Sequence, residues 1–172
     1  HISTDNLVWA YKDLNEIKAV GHRVVQGADK YDDSVVITDE VVKNIEKFAS
    51  LAPLHNPANL IGYQAVKEKL KDAKHVAIFD TAFHQSIPKV KYTYPLPLEF
   101  LDLKVRKYGF HGTSHKYITE YMQKYLNKDK VNLIICHIGN GASITAVKDS
   151  KSFDTSMGFT PVSGLMMGTR CG

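Results

Sequence analysis

Hydrophobic positions along the chain fall in short blocks whose period changes from block to block. Ala19 to Val25 (AVGHRVV) predicts a strand, ended by Gln26-Gly27. Thr38 then stands before Asp39 to Ser50, where Val41, Val42, Ile45 and Phe48 share one helical face. Thr38 is the expected N-cap, and Asp39 and Glu40 sit in the first turn, where the helix dipole favours acid. In the loop LAPLHNP, Pro53 and Pro57 forbid regular helix. Pro57 suits the first turn of a second helix running to about Asp72. Lys74 to Phe79 (KHVAIF) predicts a buried strand that Asp80 ends, and proline-rich Ser86 to Glu99 is expected to be irregular. A second part begins near Val105. It predicts a strand into Gly109, a helix from about Ser114 to Leu126, and strands over Val131 to Ile138 and Ser143 to Val147. Strands alternating with helices predict an α/β fold.

Composition sets bounds on this picture. The chain has 172 residues, 44% hydrophobic and 23% charged, in the range of soluble globular proteins. No run of eighteen apolar residues predicts a membrane span, and HISTDNLVWA lacks the basic and apolar regions of a signal peptide. The net charge of +4 comes from 22 basic and 18 acidic residues, with no long basic block. It suits a surface that meets anions and makes no case for nucleic acid. Cys136 and Cys171 form no C-x-x-C pair, so neither a disulfide framework nor a zinc knuckle is expected, and a reducing cytoplasm is the default. The start at His1 and the end at Cys171-Gly172, with no closing helix, predict an excerpt of a longer chain.

Chemistry-bearing residues gather at the expected ends of elements, where a scaffold can hold functional groups. Arg23 lies inside a strand and needs a carboxylate or a bound anion; a structural ion pair serves equally. His55 stands just before a helix start, whose free amides favour anions, but it can also bond within its own loop. Asp80 follows an apparent parallel strand, where open α/β sheets place ligand contacts, or it caps a turn. His111 and His115 are four apart, a spacing a zinc pair could use, but Gly109 and Gly112 put His111 in a turn before the helix and no third ligand is near. Thr113 or Ser114 is then the expected N-cap. Asn140-Gly141 between apolar runs predicts a tight hairpin, and the same glycine-rich turn can bring backbone amides to phosphate oxygens. Arg170 lies among Gly164, Gly168 and Gly172, either an approachable anion site or a surface loop. Together, two arginines, two histidines, an aspartate and a glycine turn are the groups phosphoryl transfer needs.

The strings LAPLHNPANL, FDTAFHQ, YGFHGTSH, HIGNGAS, DTSMGFTP and GLMMGTR, in this order, resemble the acetate kinase family from about Val20 to Gly172. The resemblance implies the ribonuclease H-like α/β fold shared by sugar kinases, actin and Hsp70-type ATPases, incomplete in this chain. Residues 1–84 would then be part of the first actin-like domain and residues 85–172 the start of the second. It also implies a cytoplasmic, homodimeric transferase that moves a phosphoryl group, with Mg2+, from ATP to acetate or another short carboxylate, giving ADP and acetyl phosphate. By position, Arg23 and Arg170 resemble the arginines that hold the acid and the phosphoryl group. Asp80 resembles the catalytic acid/base or orienting aspartate, and His111 the histidine that stabilises the transition state. His55 resembles a second histidine near the phosphoryl path. His137, Ile138, Gly139, Asn140 and Gly141 resemble an ATP phosphate loop. Val25, Leu54, Phe110 and Pro161 match a pocket for the acid's methyl group.

The chain departs from the family wording GHRVVHGG at Gln26 and Ala28, and Cys171 stands where serine is common. The family's N-terminal phosphate loop, its later adenosine loops and a C-terminal glutamate that helps hold Mg2+ are not among these residues, so no metal ligand is assigned and the chain alone is expected to be inactive. A propionate kinase is the nearest competing reading. A non-catalytic actin-like nucleotide-binding module is the other, although such a module needs no cations on the acid side.

Overall fold

A computed structural model describes residues 13–172, in which two three-stranded sheets organise the chain; the opening decapeptide lies outside the described residues. The first sheet holds β1 (Ala19–Val24), β2 (Val35–Val36) and β3 (Lys74–Phe79) in the order β1-β3-β2. β1 and β3 run parallel, from Ala19 opposite Lys74 to Val24 opposite Phe79, so Arg23 and Asp80 emerge at the same sheet end. β2, which the sequence pattern does not predict, pairs antiparallel with β3.

Helix α1 (Asp39–Lys47) starts at Thr38 as expected, the Thr38 hydroxyl accepting from the Val41 amide at 3.3 Å, and its last turn tightens into a 3-10 turn over Phe48–Ser50. Helix α2 (Asn56–Lys69) carries Pro57 in its first turn. Val41 and Ile45 of α1 and Leu60 and Tyr63 of α2 pack with Val24, Ala77 and Phe79 of the sheet and with Tyr31 from the connection between β1 and β2. Full burial of a side chain such as Ile45 or Phe79 is worth about 1.5–3 kcal/mol, so this layer supplies much of the local stability.

The second sheet is an antiparallel meander of β4 (Leu133–Ile138), β5 (Ala142–Lys148) and β6 (Lys151–Thr155). β6 is not predicted by the sequence pattern. Helix α3 (Gly112–Leu126) precedes this sheet. A second core of Val25, Ala28, Tyr108, Phe110 and Met157 joins the loop after β1 to the segments around α3 and β6. Buried His84, in the 3-10 turn Ala82–Ser86, adds polar stitches: its Nε2–H donates to the Phe110 carbonyl at 2.9 Å and its Nδ1 accepts from the Ser152 hydroxyl at 2.8 Å.

Three expectations are corrected. No strand leads into Gly109, because the Tyr108 and Gly109 amides both donate to the Gly158 carbonyl, at 3.1 and 3.2 Å, instead of joining a ladder. The stretch from Ser86 to Glu99 contains a single-turn helix, Lys89–Tyr92, and another turn, Glu99–Asp102, begins at its end. Finally, α3 starts at Gly112 and is preceded by His111 in the left-handed region (φ 59), so Thr113 and Ser114 lie inside the helix. The cause is long-range: the Gly112 amide donates to the Asp80 carbonyl at 2.8 Å, which fixes where the helix begins.

Candidate active site

The parallel pairing of β1 and β3 lets Arg23 close on Asp80 in a two-pronged pair, Nε to Oδ1 at 2.9 Å and Nη2 to Oδ2 at 2.6 Å. The Asp80 side chain is 3% exposed while that of Arg23 is 65% exposed, so a buried carboxylate aims a guanidinium that still faces solvent. The hydrogen bond to Asp80 pushes the Arg23 pKa up further.

One residue beyond the carboxylate's own backbone contact, His111 projects from its left-handed turn. Its Nδ1 lies 2.9 Å from the Ser143 hydroxyl, and its ring stacks on His137 with centroids 4.1 Å apart. Burial pushes the His111 pKa down to about 4; His137, Arg23 and Arg170 push the same way, and Asp80 opposes them. His111 is therefore neutral at pH 7. His137 is held from the other side by Ser114, Nδ1 to Oγ 2.9 Å.

The Asn140-Gly141 signal does mark a hairpin, with Ile138 opposite Ala142 and the Gly139 amide donating to the Gly141 carbonyl at 3.1 Å. Neither Gly139 nor Gly141 takes a positive φ. Gly141 is needed for space: a Cβ there would lie 2.7 Å from Arg170 Nη2 and 3.3 Å from His111 Nε2. Arg170 is thus brought against His111 by the missing side chain. Its loop is tied to the hairpin where the Gly168 amide donates to the Asn140 carbonyl at 3.1 Å. Arg170 Nε is buried with no hydrogen-bond partner among the described residues.

Five expected residues, Arg23, Asp80, His111, Asn140 and Arg170, therefore converge through direct or one-step contacts. His55 is placed more loosely. It precedes α2, whose Asn56 and Asn59 accept from the Gln26 and Val25 amides, each at 3.1 Å, so it is anchored to the segment that follows Arg23. Of the four apolar positions, Val25 and Phe110 share the second core, whereas Leu54 is 84% exposed and neither it nor Pro161 belongs to that cluster. Gln26 is buried and turns its Oε1 back onto the Ala28 amide at 2.9 Å, and Ala28 takes φ 51, a conformation that favours the glycine usual in the family. His115 and Ser143, not singled out for function by the sequence, stand directly behind His111: Nε2 of His115 lies 2.8 Å from Ser143 Oγ. The spacing of four from His111 is the one visible signal for His115, and it reports a shared serine rather than a metal; Ser143, 32 residues from His111, has none.

Among the described residues no cluster of His, Cys, Asp and Glu could hold a metal ion, and both Asp80 oxygens are taken by Arg23, so these residues do not fit a Mg2+ shell. They fit anions instead. The hairpin tip is exposed at Gly139 and Asn140, and the Arg170 guanidinium and the neutral His111 ring border it at Gly141.

The same backbone is found in solved kinases. It matches a crystal structure of Porphyromonas gingivalis acetate kinase with TM-score 0.89 and 50% identity, over 94% of this chain and 41% of that one. It matches a propionate kinase from Francisella tularensis with TM-score 0.93 and 47% identity, over 98% of this chain and 44% of that one. The fold is thus part of the actin-like ATPase architecture, a mixed α/β fold. The chain belongs to the acetokinase family, whose model matches residues 3–172. A curated relative, acetate kinase of Brachyspira hyodysenteriae, is 56% identical over 170 residues, 98% of this chain and 43% of the relative. The chain therefore spans about two-fifths of the length of such relatives.

Proposed function

We propose that these residues form the acid and phosphoryl side of an acetate kinase, which exchanges ATP and acetate for ADP and acetyl phosphate. The observation that carries the reading is the convergence of Arg170, His111 and Gly141 on a site bordered by the Asp80-aimed guanidinium of Arg23. In the reaction a carboxylate oxygen of acetate attacks the terminal phosphorus of ATP in line, and the bond from phosphorus to the ADP oxygen breaks. No proton needs to move. The protein's task is to hold two anions together and to spread the charge on the phosphoryl oxygens.

In this scheme Arg23 binds the acid's carboxylate. Asp80, with both oxygens engaged by Arg23, serves as the orienting group rather than as an acid or base. Arg170 and the His111 ring meet the phosphoryl oxygens, and the tip Gly139–Gly141 receives the nucleotide's phosphates. His55 stands at the rim of the same site, and Val25 and Phe110 supply apolar surface near the acid, with Leu54 and Pro161 as its outer members. Any Mg2+ that the reaction uses would have to be held by groups other than those described. Residues 1–84 and 85–172 would belong to the two actin-like domains. The sheets fall on either side of that boundary, with His84 bonded across it to Ser152. As in the family reading, the full-length enzyme would be a cytoplasmic homodimer, and residues 1–172 alone would give no turnover.

Propionate is the second candidate acid, favoured by the likeness to the Francisella structure. One methylene in an apolar pocket changes discrimination by only about 1–3 kcal/mol. Hydroxamate formation from ATP, hydroxylamine and either acid, assayed on the full-length protein, tests the reading. A higher kcat/KM for acetate is expected. Phosphoryl transfer to neither acid would overturn it.

A further inference from the structure

Ser143 is shared by two histidines, and that sharing has one consistent proton arrangement. Its Oγ lies 2.9 Å from His111 Nδ1 and 2.8 Å from His115 Nε2. Ser143, at 0% exposure, has one hydroxyl proton to give, and His115, also at 0%, leaves its Nδ1 buried with no partner among the described residues. If His111 donated from Nδ1 and Ser143 passed its proton to His115, then His115 would carry its own proton on that orphaned Nδ1. If both rings donated to Ser143, the hydroxyl proton would be left without a partner. A buried donor without an acceptor costs about 1–3 kcal/mol, and such donors are rare in folded proteins. In the remaining arrangement His115 Nε2–H donates to Ser143 and the Ser143 hydroxyl donates to His111 Nδ1. Both protons shared with Ser143 then have acceptors, the His111 Nε2–H points away from Ser143 and stays free, and the buried atom left unmatched is only a lone pair on His115 Nδ1. His84 follows the same pattern, with Nε2 as donor and Nδ1 accepting from Ser152.

We infer that His115 and Ser143 are positioning residues that fix His111 as the neutral tautomer carrying its proton on Nε2. That nitrogen is the ring atom facing Gly141 and Arg170. His111 then acts as a hydrogen-bond donor to an anion without being a cation, beside Arg170, whose charge it does not oppose. The charged and titratable groups around the ring are His137, Asp80, Arg23, Arg170, His115 and His84, and burial together with His137, Arg23 and Arg170 disfavours the imidazolium. The consequence for turnover rests on the proposed kinase reading; the tautomer itself does not.

Nitrogen-15 NMR of imidazole-labelled full chain at pH 7 reads the tautomer without any turnover, so it decides the inference even if the kinase reading fails. The expected signature is a non-protonated Nδ1 and a protonated Nε2 on His111, with a protonated Nε2 on His115. A proton on His111 Nδ1, alone or together with one on Nε2, overturns it. In the full-length protein, Ser143→Ala is expected to mix the His111 tautomers and to lower kcat at least tenfold with little change in KM. His115→Gln, which keeps a donor near the position of Nε2, should retain at least tenfold more kcat than His115→Phe, which keeps the ring but no donor. Equal losses from both His115 variants, with both folded, would reduce His115 to a packing role and overturn its part in the inference.

Discussion

Asp80 gives both carboxylate oxygens to Arg23, at 2.9 and 2.6 Å, while lending its backbone carbonyl to Gly112, so one residue aims a cation of the first sheet and seats the helix that carries His111. Asp80→Asn removes the carboxylate charge, keeps one oxygen to accept from Arg23 and leaves the backbone contact in place. We expect a fall in kcat/KM for the acid of about 100-fold, in the range seen when one preorganised electrostatic partner is lost. Because the Arg23 side chain is 65% exposed, the stability cost should stay near 1–2 kcal/mol, below the 3–5 kcal/mol of a fully buried pair. Steady-state kinetics and urea titration check both; unchanged kinetics would remove Asp80 from the site.

Arg170→Ala should lower kcat by about a thousandfold or more while changing the KM for the acid much less. A cation aimed at charge that develops during transfer acts mainly in the transition state. A mutant with wild-type kcat and a raised KM would show that Arg170 only binds substrate.

Gly141→Ala tests the close approach directly. The added methyl would meet Arg170 Nη2 at 2.7 Å, the far end of a flexible side chain that can swing away. Folding stability should change by under about 1 kcal/mol, within the usual spread of substitutions that break no buried contact. Displacing the guanidinium by about an ångström should cost roughly 100-fold in kcat. Loss of stability with normal kcat would contradict this placement.

Acid should destabilise the fold in a defined window. Burial pushes His84 and His111 down to about 4 and His115 down to about 3, and unfolding returns them toward 6.5. Between those values the unfolded chain binds more protons than the folded one, so stability falls as pH is lowered from about 6.5 to about 4 and does not depend on these groups above that range. Denaturant midpoints measured from pH 8 to 4 should show this slope, lessened by about one proton in His84→Gln. A midpoint that stays level between pH 6.5 and 4.5 would contradict the burial of these rings.

How far the sequence discloses this arrangement depends on the range of the interaction. Local signals served well. Thr38 caps α1, Pro57 opens α2, and the apolar run Lys74–Phe79 is a strand over the expected residues. Contacts set by distant partners were not visible. The start of α3 follows from the Asp80 carbonyl rather than from Thr113 or Ser114, and the segment before Gly109 is claimed by Gly158 before it can join a sheet. At the candidate site, charge and glycine content pointed to Arg23, Asp80, His111 and Arg170. The sequence offered no reason to rank Ser143 among the many serines, because its importance comes from two rings that reach it from 28 and 32 residues away. Gly141 shows a subtler gap: the hairpin was legible, but the need for glycine comes from Arg170 and not from the turn.

The bond from the Gly112 amide to the Asp80 carbonyl also limits how the molecule can flex. A Cβ at Gly112 would overlap that carbonyl oxygen, so the two segments cross here backbone to backbone with no side chain between them. Any swing of the second sheet against the first must either break this bond or turn about it. Points near a pivot travel least. Asp80, and with it the aim of Arg23, therefore keeps nearly the same spacing to the His111 turn whether the flanking parts stand apart or close together.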